Sequence, residues 1–302
     1  MRIDRPFPAS LAGSLVALTL VLGATAGCAL HVGPSGVGWY KDGSTKSSAA
    51  KYKGEKKISV KHVQGSRVVV ESPMGSVKIR RADIDRVLIR AVIRARTPER
   101  LDGTDVYTKR RDDGSLRIAT RWPGNKRGKN ESCSFDIRVP DAHGVEVETA
   151  FGAITLVGLE GPAELVTSYG AIRAEQHEGP VRARTSFGAV DLINVGGTVD
   201  ADTSYGSVEI RLTDENPGPV NVATSFGGVE LVPGRAFRGT IDMDTSFGSV
   251  KIVGAETTSM PVRRVETRGK SNARIVIGEE ETERSRIGTS YGGITVSLPR
   301  DV

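Results

Sequence analysis

Apolar and polar residues alternate with a period of two along most of the chain. In residues 188–205, Val190 and Leu192 flank Asp191, and a second alternating run, 199–204, follows a Gly-Gly pair. A period of two is that of a β-strand with one buried face. Each stretch of about 20 residues therefore predicts two short strands joined by a turn.

These alternating segments form a sequence repeat. Residues 184–192, 202–210 and 244–252 read RTSFGAVDL, DTSYGSVEI and DTSFGSVKI. Aromatic-glycine pairs recur at steps of 18, 18, 18, 21, 21 and 44 residues. The pairs are Phe151-Gly152, Tyr169-Gly170, Phe187-Gly188, Tyr205-Gly206, Phe226-Gly227, Phe247-Gly248 and Tyr291-Gly292. A degenerate copy at 266–278 fills the long step, and ESPMGSVKI at 71–79 is an earlier copy.

The repeat predicts an all-β fold whose main body, residues 141–302, is a β-solenoid or β-helix-like stack with about 18–21 residues per coil. Stacking would align the aromatic rings in one column. It would also align Thr167, Thr185, Thr203, Thr224 and Thr245 in an inward ladder. The glycine after each ring is expected to have a positive φ at a corner. An antiparallel meander of 18-residue hairpins has the same periodicity and stays open.

The ends of the β body are less regular. Residues 58–140 predict an irregular β region, in which VLIRAVIRAR at 87–96 is assigned to a strand because of its β-branched residues. Thr97 is placed to cap a short helix at 97–103. At the other end, Ile294 to Leu298 is expected to form an exposed edge strand.

The first 27 residues have the composition of an export signal. Arg2 and Arg5 precede an apolar stretch, 11–27, that ends in small residues. Residues 28–57 are rich in glycine, serine and lysine, which predicts a flexible tether between this signal and the β region.

Cys28 is the candidate lipidation site. It follows Thr25-Ala26-Gly27, which resembles the lipobox of a bacterial lipoprotein, although leucine is usual where Thr25 stands. Two or more acyl chains on this cysteine would attach the protein firmly to a membrane. The alternative is an ordinary signal cleavage near Ala26, after which Cys28 could form a disulfide with Cys133.

The residue chemistry predicts no enzyme activity. The four histidines and two cysteines are not at metal-ligand spacing, so neither a metal nor another cofactor is expected. The recurring serines have no histidine at a constant offset. A glycan-active enzyme is the least favoured hypothesis, and it depends on two outward carboxylate pairs, Asp200 with Asp202 and Asp242 with Asp244.

Charge is divided along the chain. Residues 51–133 hold 22 Lys/Arg and 10 Asp/Glu, whereas residues 134–302 hold 16 and 24. One interpretation is a basic region that lies against anionic headgroups or phosphate-rich polymers, and the other is an ordinary solvated surface. Nucleic acid is not a predicted partner, because the chain carries an export signal and its basic region lacks interleaved aromatics. Three arginines precede an aspartate by one repeat, which predicts ion pairs between repeats: Arg173 with Asp191, Arg182 with Asp200, and Arg184 with Asp202.

The order of these elements resembles the bacterial "putative adhesin" family of β-strand-repeat envelope proteins. The similarity covers residues 60–300 and depends on DIRVP at 136–140 and on the repeated Thr-x-x-Gly element. The aromatic residue before each glycine departs from the small residue common in that family. The resemblance implies a repetitive β-solenoid body in a cell-envelope protein.

Together these features predict an exported, lipid-anchored, non-catalytic binding or adhesion module. Its partners would be the membrane, through Cys28, and an envelope glycan or protein. The alternative is a periplasmic structural or envelope-stress scaffold without an external ligand. The surface and the periplasm both stay open as locations.

Overall fold

The computed structural model describes residues 28–33, 36–41, 50–278 and 283–300. They fall into two units, one up to Ala49 and one from Ala50 onward. The first unit contains two antiparallel strands, β1 (Cys28–Gly33) and β2 (Gly36–Lys41). Both strands lie within the predicted tether, residues 28–57, where Val32, Val37 and Trp39 favour a strand. The predicted export signal lies outside the described residues.

The second unit confirms the predicted all-β class and consists of two large sheets. Across sheet one the strands are β22 (Val262–Arg268), β23 (Asn272–Ile277), β20 (Gly239–Phe247), β24 (Arg284–Tyr291), β18 (Val220–Phe226), β16 (Val199–Tyr205), β14 (Val181–Phe187), β12 (Glu160–Tyr169), β10 (His143–Phe151), β4 (Val68–Met74), β8 (Leu116–Arg121) and β7 (Asp105–Arg110). Across sheet two they are β21 (Val250–Val253), β25 (Ile294–Ser297), β19 (Val229–Val232), β17 (Val208–Leu212), β15 (Val190–Val195), β13 (Ile172–His177), β11 (Ile154–Val157), β5 (Val77–Arg81), β9 (Ser132–Val139), β6 (Arg86–Ala95) and β3 (Tyr52–Lys61).

Successive repeats pair in parallel and in register. Each repeat contributes one strand to sheet one and the next strand to sheet two. Ala183 of β14 lies opposite Ala201 of β16, and Leu192 of β15 lies opposite Ile210 of β17. Parallel pairing of these strands excludes the antiparallel meander.

Inward residues of both sheets form one continuous hydrophobic core. In β16, Val199, Ala201 and Thr203 are buried, whereas Asp200 and Asp202 are half-buried. The two-residue alternation therefore separates core from surface as the sequence predicts.

The region before residue 140 belongs to the same two sheets. β4 pairs in parallel with β10, and Met74 lies opposite Phe151, so ESPMGSVKI is a repeat in register with the later ones. No sheet boundary occurs at residue 140. β3 takes in residues 52–57 of the predicted tether, because Ile58 and Val60 pack against the core and hold this strand at the sheet edge.

The local predictions in this region hold. Residues 86–95 form β6, a strand rather than a helix. The helix α1 (Pro98–Asp102) follows Thr97, whose side chain accepts a hydrogen bond from the Arg100 amide at 3.2 Å.

The C-terminal strands are inserted between earlier repeats. β24 lies between β18 and β20, and β25 lies between β19 and β21. The prediction that 294–298 is an exposed edge is therefore wrong, since both sides of β25 are paired. The segment 266–278 is not a repeat either. It belongs to an antiparallel hairpin, β22–β23, that pairs with β20.

The glycine corners bring neighbouring repeats into close contact. A Cβ on Gly188 would lie 2.1 Å from the carbonyl oxygen of Gly170, and one on Gly206 would lie 2.0 Å from that of Gly188. The same contact recurs at Gly152, Gly170, Gly227, Gly292 and Gly248. Of these seven glycines only Gly152 has a positive φ, so the conformational explanation for the other six is wrong. Glycine is needed because the backbones lie too close for a side chain.

The corner carbonyls also accept hydrogen bonds from the threonine ladder. Thr203 Oγ1 donates to the Gly188 carbonyl at 3.1 Å, and Thr185 Oγ1 donates to that of Gly170 at 3.0 Å. The bond recurs at Thr149, Thr167, Thr224, Thr245 and Thr289. All seven threonines are buried, so the bond gives each buried hydroxyl a partner.

Replacing a corner glycine should destabilise the protein. We expect Gly188→Ala to lower the free energy of unfolding by about 1–3 kcal/mol. The new Cβ would overlap the backbone carbonyl of Gly170, which cannot rotate away as a side chain could. Gly288→Ala is the matched control: a Cβ there meets nothing within 4 Å, so its effect should stay within about 0.5 kcal/mol. Urea unfolding measures the free energy of unfolding of both variants, and the slope of that free energy against urea concentration should not change. Equal midpoints for the two variants would contradict the contact.

Candidate functional site

Seven aromatic side chains form a continuous line on the outside of the second unit, here called the aromatic row. Each ring belongs to the last residue of a strand of sheet one, directly before a corner glycine. In spatial order the row is Phe151, Tyr169, Phe187, Tyr205, Phe226, Tyr291 and Phe247.

The rings stack face to face, as the sequence predicts. Centroids of neighbours are 4.8–4.9 Å apart and the ring planes differ by 1–7°. This spacing equals the distance between hydrogen-bonded strands, so the in-register backbone sets it. Six such steps give a row roughly 29 Å long.

Phenylalanine and tyrosine alternate strictly along the row. Along the sequence the alternation fails, because Phe226 is followed by Phe247. In space, Tyr291 lies between these two rings at 4.9 and 4.8 Å. The inserted C-terminal repeat thus restores the alternation, and a tyrosine hydroxyl occurs at every second repeat.

The aromatic row is a surface rather than part of the core. Six rings are 44–50% exposed, and the terminal Phe247 is 66% exposed. Neighbouring rings cover each other's faces, so the row presents ring edges and tyrosine hydroxyls to solvent. Ring edges carry the positive part of the aromatic quadrupole. The sequence predicts that these residues are structural corners, but it does not predict that their rings are exposed. The alternation of phenylalanine and tyrosine is the signal that could have shown this exposure.

Outward charges pair between repeats. Arg182 Nε lies 3.0 Å from an Asp200 carboxylate oxygen, and Arg184 Nε lies 3.4 Å from one of Asp202, which confirms those two predicted ion pairs. The predicted ion pair of Arg173 with Asp191 is wrong: Arg173 lies opposite Asp191 but bonds Glu175 of its own strand. Burial and the adjacent Glu209 carboxylate raise the pKa of Asp191.

The four candidate catalytic acids lie on the outer face of sheet one as two separate pairs. Asp200 and Asp202 are bound by the arginines of β14. Asp242 accepts from Arg274 Nε at 2.6 Å and lies 3.4 Å from Arg284 Nε. Three of the four carboxylates therefore take part in ion pairs between strands, which accounts for their positions without catalysis.

Of the two cysteines, only Cys133 has a described side chain. Cys28 begins β1, and its side chain lies outside the described residues. Cys133 is a free thiol buried in β9, and burial raises its pKa to about 11. Such a thiol is inert at neutral pH.

Within the described part of the chain, no group of histidine, cysteine and acidic residues is arranged to hold a metal ion. In that same part no helix has the length and apolar character needed to cross a membrane.

Comparisons with known proteins give structural matches alone. No family model matches the sequence, and no curated protein does. A "putative adhesin" from Bacteroides fragilis aligns over 82% of this chain and 98% of its own, at 10% identity and a TM-score of 0.43. A "putative cell adhesion protein" from Clostridium sporogenes aligns over 82% and 99%, at 12% and 0.35.

A third solved structure, named "putative lipid binding protein", comes from Parabacteroides distasonis. It aligns over 82% of this chain and 98% of its own, at 14% identity and a TM-score of 0.34. The adhesin names match the class that the sequence motifs resemble.

Proposed function

We propose that the protein is an exported, lipid-anchored cell-envelope module that binds an extended polymer along the aromatic row and catalyses no reaction. The observation that carries this proposal is the row itself, with seven rings that are 44–66% exposed and stacked without a gap. A contiguous exposed apolar strip on a water-soluble body marks an interaction surface. Repeat proteins use such extended surfaces for extended partners.

The proposed architecture is a β-solenoid with one repeat per turn. It is supported by the parallel, in-register pairing of successive repeats in both sheets. It is also supported by the glycine corners, which meet in the same way at each step. A solenoid would hold the rings in a straight, rigid line, so a ligand would bind a surface that is already ordered.

An envelope glycan is the proposed ligand, and a protein is the alternative. Tyr169, Tyr205 and Tyr291 present hydroxyls two repeats apart, roughly 9.6 Å. Between them lie the positively polarised edges of the phenylalanines. A polymer rich in oxygen atoms and with its own regular repeat complements both features.

A structural scaffold remains the second candidate function, and one observation favours it. Each stacked pair of rings contributes about 0.5–1.5 kcal/mol beyond its buried area, so the row also stabilises the stack of repeats. A scaffold needs the rings for this purpose, but it does not need a hydroxyl at every second repeat.

Removing the row's hydroxyls separates the two functions. We expect the triple variant Tyr169→Phe, Tyr205→Phe, Tyr291→Phe to keep its stability, because the stacking is preserved. Its affinity for isolated cell-wall glycan, measured by co-sedimentation, should fall tenfold or more, since each lost hydrogen bond costs about 0.5–1.5 kcal/mol. The matched control is Tyr52→Phe with Tyr107→Phe, outside the row. Unchanged binding by the triple variant would show that the row's hydroxyls do not hold the glycan, whereas no binding by wild type would favour the scaffold.

The anchor is tested separately through Cys28. In intact cells we expect wild-type protein to stay with the membrane fraction and Cys28→Ser to be released, because the substitution removes the acylated thiol. Protease added to intact cells should digest wild type if the module faces outward. A Cys28→Ser protein that fractionates like wild type would show that the cysteine is not lipidated, and protection from protease would place the module in the periplasm.

A further inference from the structure

The positive charge of the early chain is concentrated on one outer sheet face. This basic face consists of the outward residues of β3, β6, β9 and β5, at the end of sheet two. Its nine cations are Lys53, Lys57, Lys61, Lys78, Arg80, Arg86, Arg90, Arg94 and Arg138. The acids on it are Glu55 and Asp136, so the face has a formal charge of about +7, nine cations less two acids.

Cations on the basic face lie directly opposite one another. In the antiparallel pair β3–β6, Lys53 is paired with Arg94, Lys57 with Arg90, and Lys61 with Arg86. Like charges directly opposite each other destabilise a sheet. Three such pairs lie in one ladder, where they do not stabilise the sheet. This arrangement indicates that the residues of the face suit the binding of an anionic partner.

Internal neutralisation of the face is incomplete. Glu55 lies 2.7 Å from Arg90 and 3.5 Å from Lys57. The hydrogen bond from Arg90 lowers the pKa of Glu55. Asp136 is bound by Arg80 at 3.2 Å. Among the described residues, no carboxylate lies within ion-pair distance of the other six cations, which are Lys53, Lys61, Lys78, Arg86, Arg94 and Arg138.

An apolar residue lies in the middle of these cations. Leu88 is 38% exposed, and its partners across the sheet are Ser59 and Arg138. Beside it is a recess of about 310 Å³ whose surface is mostly apolar; its outward lining consists of Leu88, Lys57, Ser59, Arg90, Asp136 and Arg138. A face with an apolar centre and a cationic surround matches the boundary between lipid headgroups and acyl chains.

The charge does not continue along sheet two. Farther along the same outward column, Asp191, Glu209 and Glu230 lie in register. The basic face is therefore confined to one end, and that end includes β3, the first strand of the second unit after Cys28 in the chain.

We infer that the basic face lies flat against an anionic phospholipid surface, with Leu88 inserted below the level of the phosphates. Lysine and arginine side chains then neutralise headgroup phosphates at the membrane surface. A dissolved polyanion would bind the cations but would gain nothing from contact with the apolar Leu88. This interaction needs neither the acyl group on Cys28 nor the aromatic row, so it can hold or fail independently of the proposed function.

Vesicle binding tests this inference. The full chain carrying Cys28→Ser, so that no acyl group contributes, is mixed with vesicles of phosphatidylglycerol and phosphatidylcholine in equal amounts, and with pure phosphatidylcholine vesicles. We expect binding to the first and not to the second, and loss of binding near 1 M salt, where the screening length is about 3 Å.

Two matched triple variants locate the binding surface. Lys61→Gln, Arg86→Gln, Arg94→Gln should weaken binding on the order of a hundredfold, at about fivefold for each cation. Lys251→Gln, Arg268→Gln, Lys270→Gln removes the same charge at exposed positions near the other end of the sheets, and it should change binding less than fivefold. Equal losses in both variants would show attraction by net charge alone and overturn the inference.

Leu88→Ser distinguishes a membrane from a dissolved polyanion. We expect it to weaken vesicle binding severalfold while leaving binding of inorganic polyphosphate unchanged. If polyphosphate binds and Leu88→Ser leaves vesicle binding intact, the face recognises phosphate without insertion, and the inference fails. Binding to neutral vesicles as tight as to anionic ones would overturn it as well.

Discussion

The structure depends on the close approach of one corner glycine to the next. A Cβ added to a corner glycine would lie 2.2 Å or less from the carbonyl oxygen of the corner glycine in the neighbouring repeat. That same carbonyl oxygen accepts a hydrogen bond from the threonine hydroxyl. These contacts fix the register of each added strand, because a slip by one residue would place a side chain against backbone and bury outward residues. The aromatic rings then stack because they occupy the position next to the fixed corner.

Much of this follows from the sequence. The two-residue alternation separates core from surface, and the recurring Thr-Ser-aromatic-Gly element gives the threonine ladder and the ring column. The pairing of Arg182 with Asp200 follows from their spacing of one repeat. The role of glycine was not evident, because a tight turn and a close backbone contact select the same residue.

The order of the repeats could not be predicted from the repeat itself. Any two repeats pair equally well when they share the same inward residues, so the sequence favours pairing in chain order. Insertion of β24 next to β18 depends on contacts such as the Ser285 hydroxyl that accepts from the Val220 amide at 2.9 Å. The sequence of the hairpin β22–β23 resembles a repeat because apolar and polar residues alternate in the same way in parallel and antiparallel strands. The Phe/Tyr alternation was the one feature of the sequence that indicated the true order.

The two candidate surfaces have different origins. The aromatic row follows from the repeat, since one residue type at one repeat position becomes a line in space. The basic face lies where the repeat stops and β3, β6 and β9 pair antiparallel. At this end of sheet two the outward residues of β3 and β6 do not pair with those of a neighbouring repeat. Their charges can therefore complement the charges of a partner. The second unit thus carries a regular line of aromatic rings and, at one end of sheet two, a separate charged face.

The inserted order of repeats is tested most directly by paired cysteines. Ala223 of β18 lies opposite Gly288 of β24, and Gly288 lies opposite Asp244 of β20. In a Cys28→Ser background, Ala223→Cys with Gly288→Cys should form a disulfide on mild oxidation, since directly paired residues are within bonding reach. Ala223→Cys with Asp244→Cys should not, because two strand spacings, roughly 9.6 Å, separate them. Peptide mapping under non-reducing conditions identifies the bond. A disulfide in the second variant and none in the first would show that the repeats stack in chain order, and would contradict the account.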